Sequence, residues 1–354
     1  MFLKNDWYMA AWAAEVGSAP VARRICNEPM VLYRDAAGSL AALQDRCCHR
    51  GVALSLGKVI EEGIQCGYHG IVFDAKGQCV HIPGQDRIPA KAVVHYYAVH
   101  ERDSIVWVWM GNPDEADLSL IVDYPYHGDV KNWPHREGLI PVKCNYEMLI
   151  DNIMDLTHLP YVHTKTIGGG TPTNVHSKAV MKTERMPRGV KYSRWLLDSV
   201  PPPTYAKAID FPGKIDRWQE EELLTPSVII QFTGGVDTSQ RPRETGNREG
   251  GFGMRVLHCI VPETETSCHY FFSVSNGFGQ DDPANTDLVY DQVYPTLLED
   301  KVFCENQQAI ATEFPDENFV DIRSDEARIL YHQHLDERLA NEKKLAKRDA
   351  AVSA

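Results

Sequence analysis

Four residues that can bind a metal lie in two short segments of this 354-residue chain, and they constrain its fold more than any other feature. The first segment is Cys47-Cys48-His49, and the second, after sixteen intervening residues, is Cys66-Gly67-Tyr68-His69. Each segment would supply one thiol and one imidazole as ligands, and Cys48 lies between the ligands as a bystander. Glycines beside these residues allow two loops to approach each other closely. The pattern therefore predicts two loops that converge on one metal centre.

The order of the ligands distinguishes two kinds of metal centre. Two cysteines and two histidines also suit structural zinc, but zinc modules usually begin with a Cys-x₂₋₄-Cys knuckle and end with two histidines on one helix. Here each segment supplies one Cys and one His. That arrangement is typical of a Rieske [2Fe-2S] cluster, in which one iron takes both cysteines and the other both histidines. We interpret Cys47, His49, Cys66 and His69 as cluster ligands, with structural zinc as the alternative.

The distribution of strand and helix signals predicts two domains. Short apolar segments between residues 30 and 110 are separated by Asp/Gly turns such as Asp74-Ala75-Lys76-Gly77, which is typical of a small all-β module. An acidic, polar stretch follows Gly111. Beyond it, a helical segment near 145–165 is followed by strand-like runs around 179–234 and 254–276 and then by helical segments at about 285–312 and 325–348. This grouping favours an antiparallel sheet with helices packed against it. We predict an α+β protein with domains at 1–115 and 116–354.

Composition excludes several classes of function. The chain has 36 Lys and Arg against 49 Asp and Glu, a formal net charge of -13, so its surface repels nucleic acid and anionic lipid. The strongest apolar run, Ile105 to Met110, is far shorter than the roughly 18 residues of a membrane span. Nine cysteines, an odd number, favour free thiols and metal ligands over a disulfide framework. The N-terminus has no signal-peptide pattern, and we expect a soluble cytoplasmic protein.

A second set of metal ligands is predicted in the segment that runs from Asp151 to His163. Asp151, Asp155 and His158 are four and then three residues apart, so they share one face of a helix. His163 lies about 140° round an ideal helix from His158. Both rings can reach one ion only if the helix is interrupted, and Pro160 is predicted to interrupt it.

Two histidines need one carboxylate to complete the facial triad that binds a mononuclear Fe(II) and leaves positions open for O₂. We expect this carboxylate on a helix predicted over about 285–312, where apolar residues recur at helical spacing. The apolar positions are Val289, Val293, Leu297 and Cys304. Asp300 falls on the same stripe, whereas Glu299 points about 100° away. Because a carboxylate turned toward a core needs a partner, Asp300 is the predicted third ligand.

These three residues also have a purely structural interpretation. His158 and His163 could be core histidines, and Asp300 could pair with a buried arginine. The Rieske motif upstream favours the metal interpretation, because an electron relay requires a second centre to receive its electrons. Asp155 lies on the same helical face without being needed as a ligand, and we predict that it hydrogen-bonds a ligating imidazole.

The two motifs together resemble those of the oxygenase (alpha) component of the Rieske non-haem iron oxygenases. The similarity covers nearly the whole chain and includes these segments: Asp6-Trp7-Tyr8, Arg46 to Arg50, Cys66 to Gly70, Ile82-Pro83-Gly84, Asp151 to His163, Pro262 to Thr266 and Glu299-Asp300-Lys301. Within that family the chain most resembles the small single-subunit branch that includes vanillate and dicamba O-demethylases and toluenesulfonate methyl-monooxygenase.

The resemblance implies a Rieske domain followed by a helix-grip catalytic domain, with one [2Fe-2S] cluster and one mononuclear Fe(II). It also implies a head-to-tail homotrimer, in which Asp155 bridges the iron site to the cluster ligand His69 of the neighbouring subunit. Asn152 and Asp151 are expected to support the iron ligands. In the demethylase branch, Gln231 and His258 fall where polar groups orient an aromatic acid, and Asp291 falls where that branch can carry an aromatic residue. A structural role inside the sheet is the alternative for Gln231 and His258.

The predicted function is that of a terminal oxygenase component that uses O₂ and electrons from a partner protein. No Gly-x-Gly-x-x-Gly follows a predicted strand and no plant-type ferredoxin motif is present, so we expect a separate NAD(P)H-dependent reductase, with or without a ferredoxin. The expected reaction hydroxylates an O- or N-alkyl carbon of an aromatic compound, and the product collapses to an aldehyde and the dealkylated compound. One alternative is hydroxylation of an aromatic ring or benzylic methyl group. Another is a Rieske electron-transfer protein without catalysis.

Overall fold

The computed structural model describes residues 1–170, 178–315 and 319–352. The chain divides into two compact units. The first comprises Met1–Asp123, Val261–Glu265 and Leu345–Ala354, and the second comprises Tyr124–Ile260 and Thr266–Lys344. The domain boundary predicted after residue 115 falls within the first range. In the described part of the chain, no helix combines the length and apolarity that crossing a bilayer requires.

The first unit is built from short antiparallel strands. Its strands are β1 (Trp7–Trp12), β2 (Val21–Ile25), β3 (Glu28–Arg34), β4 (Leu40–Gln44), β5 (Lys58–Ile60), β6 (Gly63–Gln65), β7 (Val72–Phe73), β8 (Cys79–His81), β9 (Val99–Arg102) and β10 (Ile105–Trp109). They form three sheets in the described residues, ordered β1-β10-β9, β2-β3-β4 and β5-β6-β7-β8.

Burial explains why these sequences form strands. Every residue of β1 and of β10 is buried, and β10 consists of valine, isoleucine and tryptophan, which favour a pleated and packed surface. Trp7 and Trp109 pair across the two strands with ring centroids 5.6 Å apart in an edge-to-face arrangement. A separate core, which includes Tyr33, Leu43 and Phe73, also contains Cys47 and Cys66. The core of the sheets thus positions both predicted thiol ligands.

The second unit is an antiparallel sheet with helices. Its strands are β11 (His135–Val142), β12 (Val180–Met186), β13 (Gly189–Ser199), β14 (Ile215–Leu224), β15 (Val228–Asp237), β16 (Phe252–Thr264) and β17 (Ser267–Asn276). Within the described ranges they form one sheet, ordered β11-β17-β16-β15-β14-β13-β12. The α+β fold class predicted from the sequence, with an all-β first domain, is confirmed.

The α-helices of the described residues are numbered in chain order. They are α1 (Tyr146–Met154), α2 (Leu159–Val162), α3 (Pro203–Ala208), α4 (Pro242–Thr245), α5 (Pro283–Glu313) and α6 (Glu326–Val352). Single 3-10 turns lie at Ala13–Glu15, Leu54–Leu56, Pro113–Glu115, Leu118–Leu120, Pro125–His127, Leu156–His158, Thr238–Gln240 and Arg323–Asp325.

Helix α5 is the element that presents the predicted carboxylate ligand. It begins where the Asp282 side chain accepts a hydrogen bond from the Ala284 amide, at 3.0 Å, and where Pro283 fits the first turn. Its buried stripe includes the predicted apolar positions together with Asp300. The helix packs against α1, β11 and β17. This packing turns one face of α5 toward the segment that carries His158 and His163.

Candidate metal centres

The two loops of the first unit that carry the Cys/His motifs share one backbone geometry. In each loop the cysteine amide donates to the carbonyl five residues later, at 2.8 Å in both cases. A glycine four residues after the cysteine donates back to the cysteine carbonyl, at 2.9 Å in the Cys47 loop and 3.0 Å in the Cys66 loop. These glycines, Gly51 and Gly70, have φ angles of +73° and +72°, a conformation that favours glycine. The same tight turn therefore occurs twice, once around each cysteine.

The side chains of these loops fit a cluster with two thiols on one side and two imidazoles on the other. Cys47 and Cys66 are each 2% exposed and hydrogen-bond each other, whereas His49 and His69 are exposed. The two imidazole rings lie 4.6 Å apart between centroids, at 65°. Burial raises the pKa of the Cys47 thiol to about 11. Binding of iron would displace that proton, because a coordinating thiol is deprotonated.

The predicted iron ligands of the second unit converge on one point. His158 Nε2 lies 3.2 Å from His163 Nε2 and 3.3 Å from Asp300 Oδ1, and His163 Nε2 lies 3.1 Å from the same carboxylate oxygen. Two ligands at right angles, each about 2.1 Å from an ion, are about 3.0 Å apart. The triangle therefore has the size of one face of a coordination sphere. Of the described residues only one other group, His127, His135 and Glu137, brings three such ligand atoms within reach of one another.

An interruption of the helix brings His158 and His163 together, but it begins at Asp155 and not at Pro160 as predicted. Helix α1 ends at Met154, and Asp155 is extended, with φ -117° and ψ 93°. Its carboxylate accepts from the Thr157 amide at 2.9 Å and starts a separate turn. Pro160 then lies in the first turn of α2, where the missing N–H of proline costs nothing. The chain breaks at an aspartate cap, and the proline begins the next helical piece.

Hydrogen bonds donated by the Nδ1 atoms hold both imidazoles with Nε2 toward the carboxylate of Asp300. The Nδ1 of His158 lies 2.6 Å from the Asp155 carbonyl oxygen, and the Nδ1 of His163 lies 2.7 Å from Glu299 Oε2. Such contacts place the proton on Nδ1 and leave Nε2 free to bind a metal. Both rings are therefore prepared as ligands by the protein itself.

Asp300, the predicted carboxylate ligand, lies in a buried position. Its side chain is 8% exposed, and Asn152 Nδ2 donates to its Oδ1 at 3.3 Å. Burial by itself would raise the pKa of Asp300, but the contacts with the imidazoles of His158 and His163 outweigh burial and hold the pKa below its usual value. The same contacts act on His163, where burial lowers the pKa and the carboxylates of Asp300 and Glu299 raise it above its usual value.

The other residues predicted around the iron have distinct partners. Asp155 contacts His158 through its backbone carbonyl, whereas its carboxylate oxygens accept from the Thr157 amide and from Ser324 Oγ at 3.0 Å. Asn152 reaches Asp300 as a supporting residue. Asp151 instead accepts from His332 Nε2 at 2.8 Å, which ties α1 to α6.

Glu299 was missed as a supporting residue. On an isolated helix it points away from the Asp300 stripe, but His163 follows the break after α1 and approaches α5 from the side that Glu299 faces. Helical periodicity alone could not reveal this contact, because it depends on the path of a different segment. The one sequence signal for this supporting role is that Glu299 directly precedes Asp300, which lies on the apolar stripe of the helix.

A cavity lined mainly by apolar side chains adjoins the three ligands. Its apolar lining consists of Ile153, Leu156, Leu159, Ile167, Met254, Val256, Val293 and Leu297. Gln231, His258 and Thr296 add polar groups. Two of the three predicted substrate-binding residues, Gln231 and His258, thus lie beside the ligands. The structure does not bring Asp291 there, because its side chain is 68% exposed and faces Arg136 Nη1 at 3.7 Å.

Two protein-family models match the chain, one in each part. The Rieske [2Fe-2S] domain matches residues 6–96, and the vanillate O-demethylase oxygenase C-terminal domain matches residues 142–341, more than half of the chain. The chain belongs to the vanillate O-demethylase-type Rieske oxygenases. The Rieske [2Fe-2S] domain is thus established for the first part of this oxygenase component.

Curated relatives and solved structures agree with this assignment. The iron-sulfur subunit of the toluene-4-sulfonate monooxygenase system of Comamonas testosteroni is 36% identical over 92% of this chain and 93% of its own length. The oxygenase component of dicamba O-demethylase from Stenotrophomonas maltophilia is 34% identical over 86% of this chain and 87% of its own. Dicamba monooxygenase bound to 3,6-dichlorosalicylic acid superimposes with a TM-score of 0.88 at 31% identity, over 97% of this chain and 99% of that one.

The predicted family, fold and enzyme class of this Rieske oxygenase are therefore confirmed. The match to the oxygenase C-terminal domain argues against an electron carrier that lacks a catalytic domain. The match to the Rieske domain argues against a structural zinc module.

Proposed function

We propose that the chain is the terminal oxygenase component of a system that oxidatively removes an O- or N-alkyl group from an aromatic compound. The observation that carries the proposal is the convergence of His158, His163 and Asp300 beside a cavity lined mainly by apolar side chains. Relatives named vanillate O-demethylase, dicamba O-demethylase and chloroacetanilide N-alkylformylase support dealkylation as the reaction class.

The donor sets fit two different iron groups. Cys47, His49, Cys66 and His69 would hold the [2Fe-2S] cluster, since two thiols and two imidazoles match the Rieske ligand set. His158, His163 and Asp300 would hold a mononuclear Fe(II), since two imidazoles and one carboxylate leave further positions open. When bound, these groups would supply reductive activation of O₂. Asp291 is not part of this proposal, because it is exposed.

The protein's own residues have defined tasks in this reaction. Glu299 and the Asp155 carbonyl fix the orientation of the two imidazoles through their Nδ1 atoms. Asp300 remains ionised and contributes one negative charge to the site. The apolar lining keeps water away and packs against an aromatic ring, while Gln231 and His258 orient the ring's polar substituent.

The net reaction balances with O₂, two electrons and two protons. An aryl methyl ether, O₂, two electrons and two protons give the hydroxymethyl ether and water, and this hemiacetal breaks its C–O bond to release formaldehyde and the phenol. An N-alkyl group would leave through a hemiaminal in the same way. The electrons require a partner, and an NAD(P)H-dependent reductase, with or without a ferredoxin, is part of the proposal.

We extend the proposal to a homotrimer in which the cluster of one subunit serves the iron site of the next. Asp155 of the one subunit would contact the cluster ligand His69 of its neighbour and so bridge the two sites. His69 is exposed, so its ring is accessible to another chain. The carboxylate of Asp155 is half-buried and already adjoins His158 through the backbone. Cytoplasmic localisation stays a prediction.

A product assay with a surrogate reductase tests the function. The holoenzyme is supplied with NADH and O₂ and with a panel of methoxy and N-alkyl aromatics, and aldehyde release is measured with the matching dealkylated product. We expect stoichiometric aldehyde and product from at least one compound. Release of hydroxylated product without loss of carbon would instead support benzylic hydroxylation, which the toluene-4-sulfonate monooxygenase relative makes the second candidate. O₂ consumption with no organic product from any compound would contradict both.

A further inference from the structure

Two grooves lie beside the candidate cluster ligands in the first unit. The first groove has a volume of about 360 Å³, and its lining includes Arg46, His49, Arg50, Val93 and His95. The second groove has a volume of about 530 Å³, and its lining includes His49, His69, Ile82, Pro89 and Lys91. His49 therefore borders both grooves, whereas His69 borders only the second of them. A partner seated in the first groove contacts His49 and leaves the His69 ring accessible.

The first groove is positively charged, although the chain as a whole is acidic. Asp and Glu outnumber Lys and Arg by 49 to 36 in the whole sequence. The residues that line the first groove nevertheless include Arg46 and Arg50 and, in the described ranges, no carboxylate. The exposed rings of His49 and His95 lie in the same groove. Its charge therefore attracts an acidic surface.

Arg46 and Arg50 are not engaged within the part of the chain that the structure describes. Both side chains are exposed, and neither guanidinium has a hydrogen-bond or ion-pair partner there. In the same unit, by contrast, Arg23 Nη2 lies 3.1 Å from Glu15 Oε2. Two arginines beside a predicted cluster ligand thus keep their donors free for the carboxylates of another molecule.

The surroundings of the two rings also fit a partner that binds briefly. Val93, which lines the first groove, is 41% exposed, and Tyr68, which precedes His69, is 60% exposed. Complexes between redox proteins bury small areas, and charges at their rims speed the encounter more than they tighten it. The proposed reaction needs such a partner, because its electrons come from a separate protein. An electron donor with an acidic docking surface meets both requirements.

We infer that an acidic electron-donor protein docks in the first groove, with its carboxylates on Arg46 and Arg50, and that electrons enter the cluster on the side of His49. The His69 ring is then left for the bridge to Asp155 of a neighbouring subunit. In each transfer the donor loses one electron and the cluster gains one, and no bond is made or broken. This inference rests on the proposed function, which it extends by naming the surface that receives the donor.

A probe protein tests the docking surface in the holoenzyme. The probe is an acidic plant-type [2Fe-2S] ferredoxin, whose potential lies below that of a Rieske cluster, and the control reductant is reduced methyl viologen, a small cation. Anaerobic stopped-flow absorbance measures reduction of the cluster, and biolayer interferometry measures binding of the oxidised ferredoxin. We expect the rate constant with ferredoxin to fall at least about tenfold as salt rises from about 20 mM to about 300 mM, because screening removes the attraction.

Charge reversals of equal size distinguish the two grooves. Arg46→Glu and Arg50→Glu, each made alone, should slow reduction by ferredoxin at low salt by about tenfold and weaken its binding, because an attraction becomes a repulsion. Lys91→Glu, in the second groove, should slow it by less than about threefold. The matched control is Arg24→Glu at an exposed position of β2, which should react as the wild type does. Methyl viologen should reduce no variant more slowly than the wild type.

Iron content, the visible spectrum and light scattering verify that each variant is loaded and give its oligomeric state. If a reversal variant does not load, Arg46→Gln and Arg50→Gln take its place. Loaded arginine variants with wild-type ferredoxin binding and rates overturn the inference, and so does an equal loss in Lys91→Glu. A changed oligomeric state of the arginine variants with unchanged ferredoxin binding would assign the first groove to a second copy of the chain and overturn the inference as well.

These readouts do not depend on dealkylation. Salt-dependent reduction that Arg46 and Arg50 control leaves the inference standing even if no aromatic compound releases an aldehyde. Aldehyde release by a holoenzyme whose reduction by ferredoxin is insensitive to both arginines would support the proposed function and overturn the inference.

Discussion

The two candidate metal centres of this protein are assembled in different ways. All four residues assigned to the cluster come from two loops that lie close in sequence and repeat the same turn around Cys47 and Cys66. The residues assigned to the iron come from one interrupted helical segment and from α5, far along the chain, and their supporting contacts come from Asp155, Glu299 and Asn152. The first site is largely local, whereas the second exists only when distant elements pack.

The two sites also distribute burial differently. In the first unit the thiols are buried and both imidazoles are exposed, so the imidazole side of the cluster faces outward. In the second unit His163 and Asp300 are both buried, and the cavity beside them has an apolar lining. An outward-facing imidazole suits exchange of electrons with another protein. A site in which two of the three predicted ligands are buried suits a reaction from which water must be excluded.

The largest effect expected from this contrast is that His163→Ala abolishes turnover without disturbing the first site. We expect product formation to fall by at least about 10³-fold, because the triad loses one of its ligands. Iron should fall from three to two per chain, while the visible absorbance and the reduced-state electron paramagnetic resonance of the cluster remain. Turnover at the wild-type rate would remove His163 from the iron site.

A smaller loss is expected when the support of a ligand is removed instead of the ligand. Glu299→Ala removes the carboxylate that accepts from His163 Nδ1, and loss of such partners typically costs 10- to 100-fold in metal affinity, which we expect here. The rate of iron removal by a chelator measures the effect. Glu313→Ala, at an exposed position near the end of the same helix, is the control. Equal rates for all three proteins would show that the Glu299 contact does not hold the ring.

Asp155→Asn changes the carboxylate of Asp155 and leaves its backbone in place. The backbone carbonyl that orients His158 is unchanged, so the variant should retain most of its mononuclear iron. If the carboxylate also links His69 of a neighbouring subunit, oxidation of the reduced cluster after mixing with O₂ and substrate should slow by about tenfold or more. Stopped-flow absorbance of the cluster measures this rate. Wild-type kinetics with full iron content would refute the bridging role.

The smallest effect concerns the contact between α1 and α6 in the second unit. Burial lowers the pKa of His332, but hydrogen bonds from its ring to Asp151 and Glu147 outweigh burial and raise the pKa to about 10. Because the pKa of His332 is higher in the folded chain than in the unfolded chain, its protonation stabilises the folded chain. This stabilisation is complete below about pH 6.5 and is lost as the pH rises toward 10.

His332→Gln should therefore lower the melting temperature by a few degrees at pH 7, consistent with about 1 to 2 kcal/mol for a charged hydrogen bond. The difference between variant and wild type should shrink at pH 10. Differential scanning calorimetry at both pH values measures it. A difference that is the same at pH 7 and pH 10 would contradict protonation of His332 as its cause.

The comparison of the two sites explains which parts of them were predictable. The Cys47 and Cys66 loops could be predicted because ligand spacing and the two glycines act within a few residues. Asp300 could be predicted because a charged residue on an apolar helical stripe needs a special partner. The contact of Glu299 could not, because Glu299 acts on His163, which belongs to a different element. The helix was predicted to break at Pro160, but it ends at Met154, and the Asp155 side chain caps the turn that follows.

The sequence by itself determined the two donor sets, the all-β and α+β character of the two units, and the family to which the chain belongs. These follow from short-range patterns, since strand alternation, helical spacing and turn glycines depend on neighbours in the chain. Only the tertiary structure decided which nitrogen each imidazole presents and that Asp291 lies at the surface. Those properties depend on which side chains meet after the sheet and α5 pack, and burial and hydrogen bonding across elements are set at that stage.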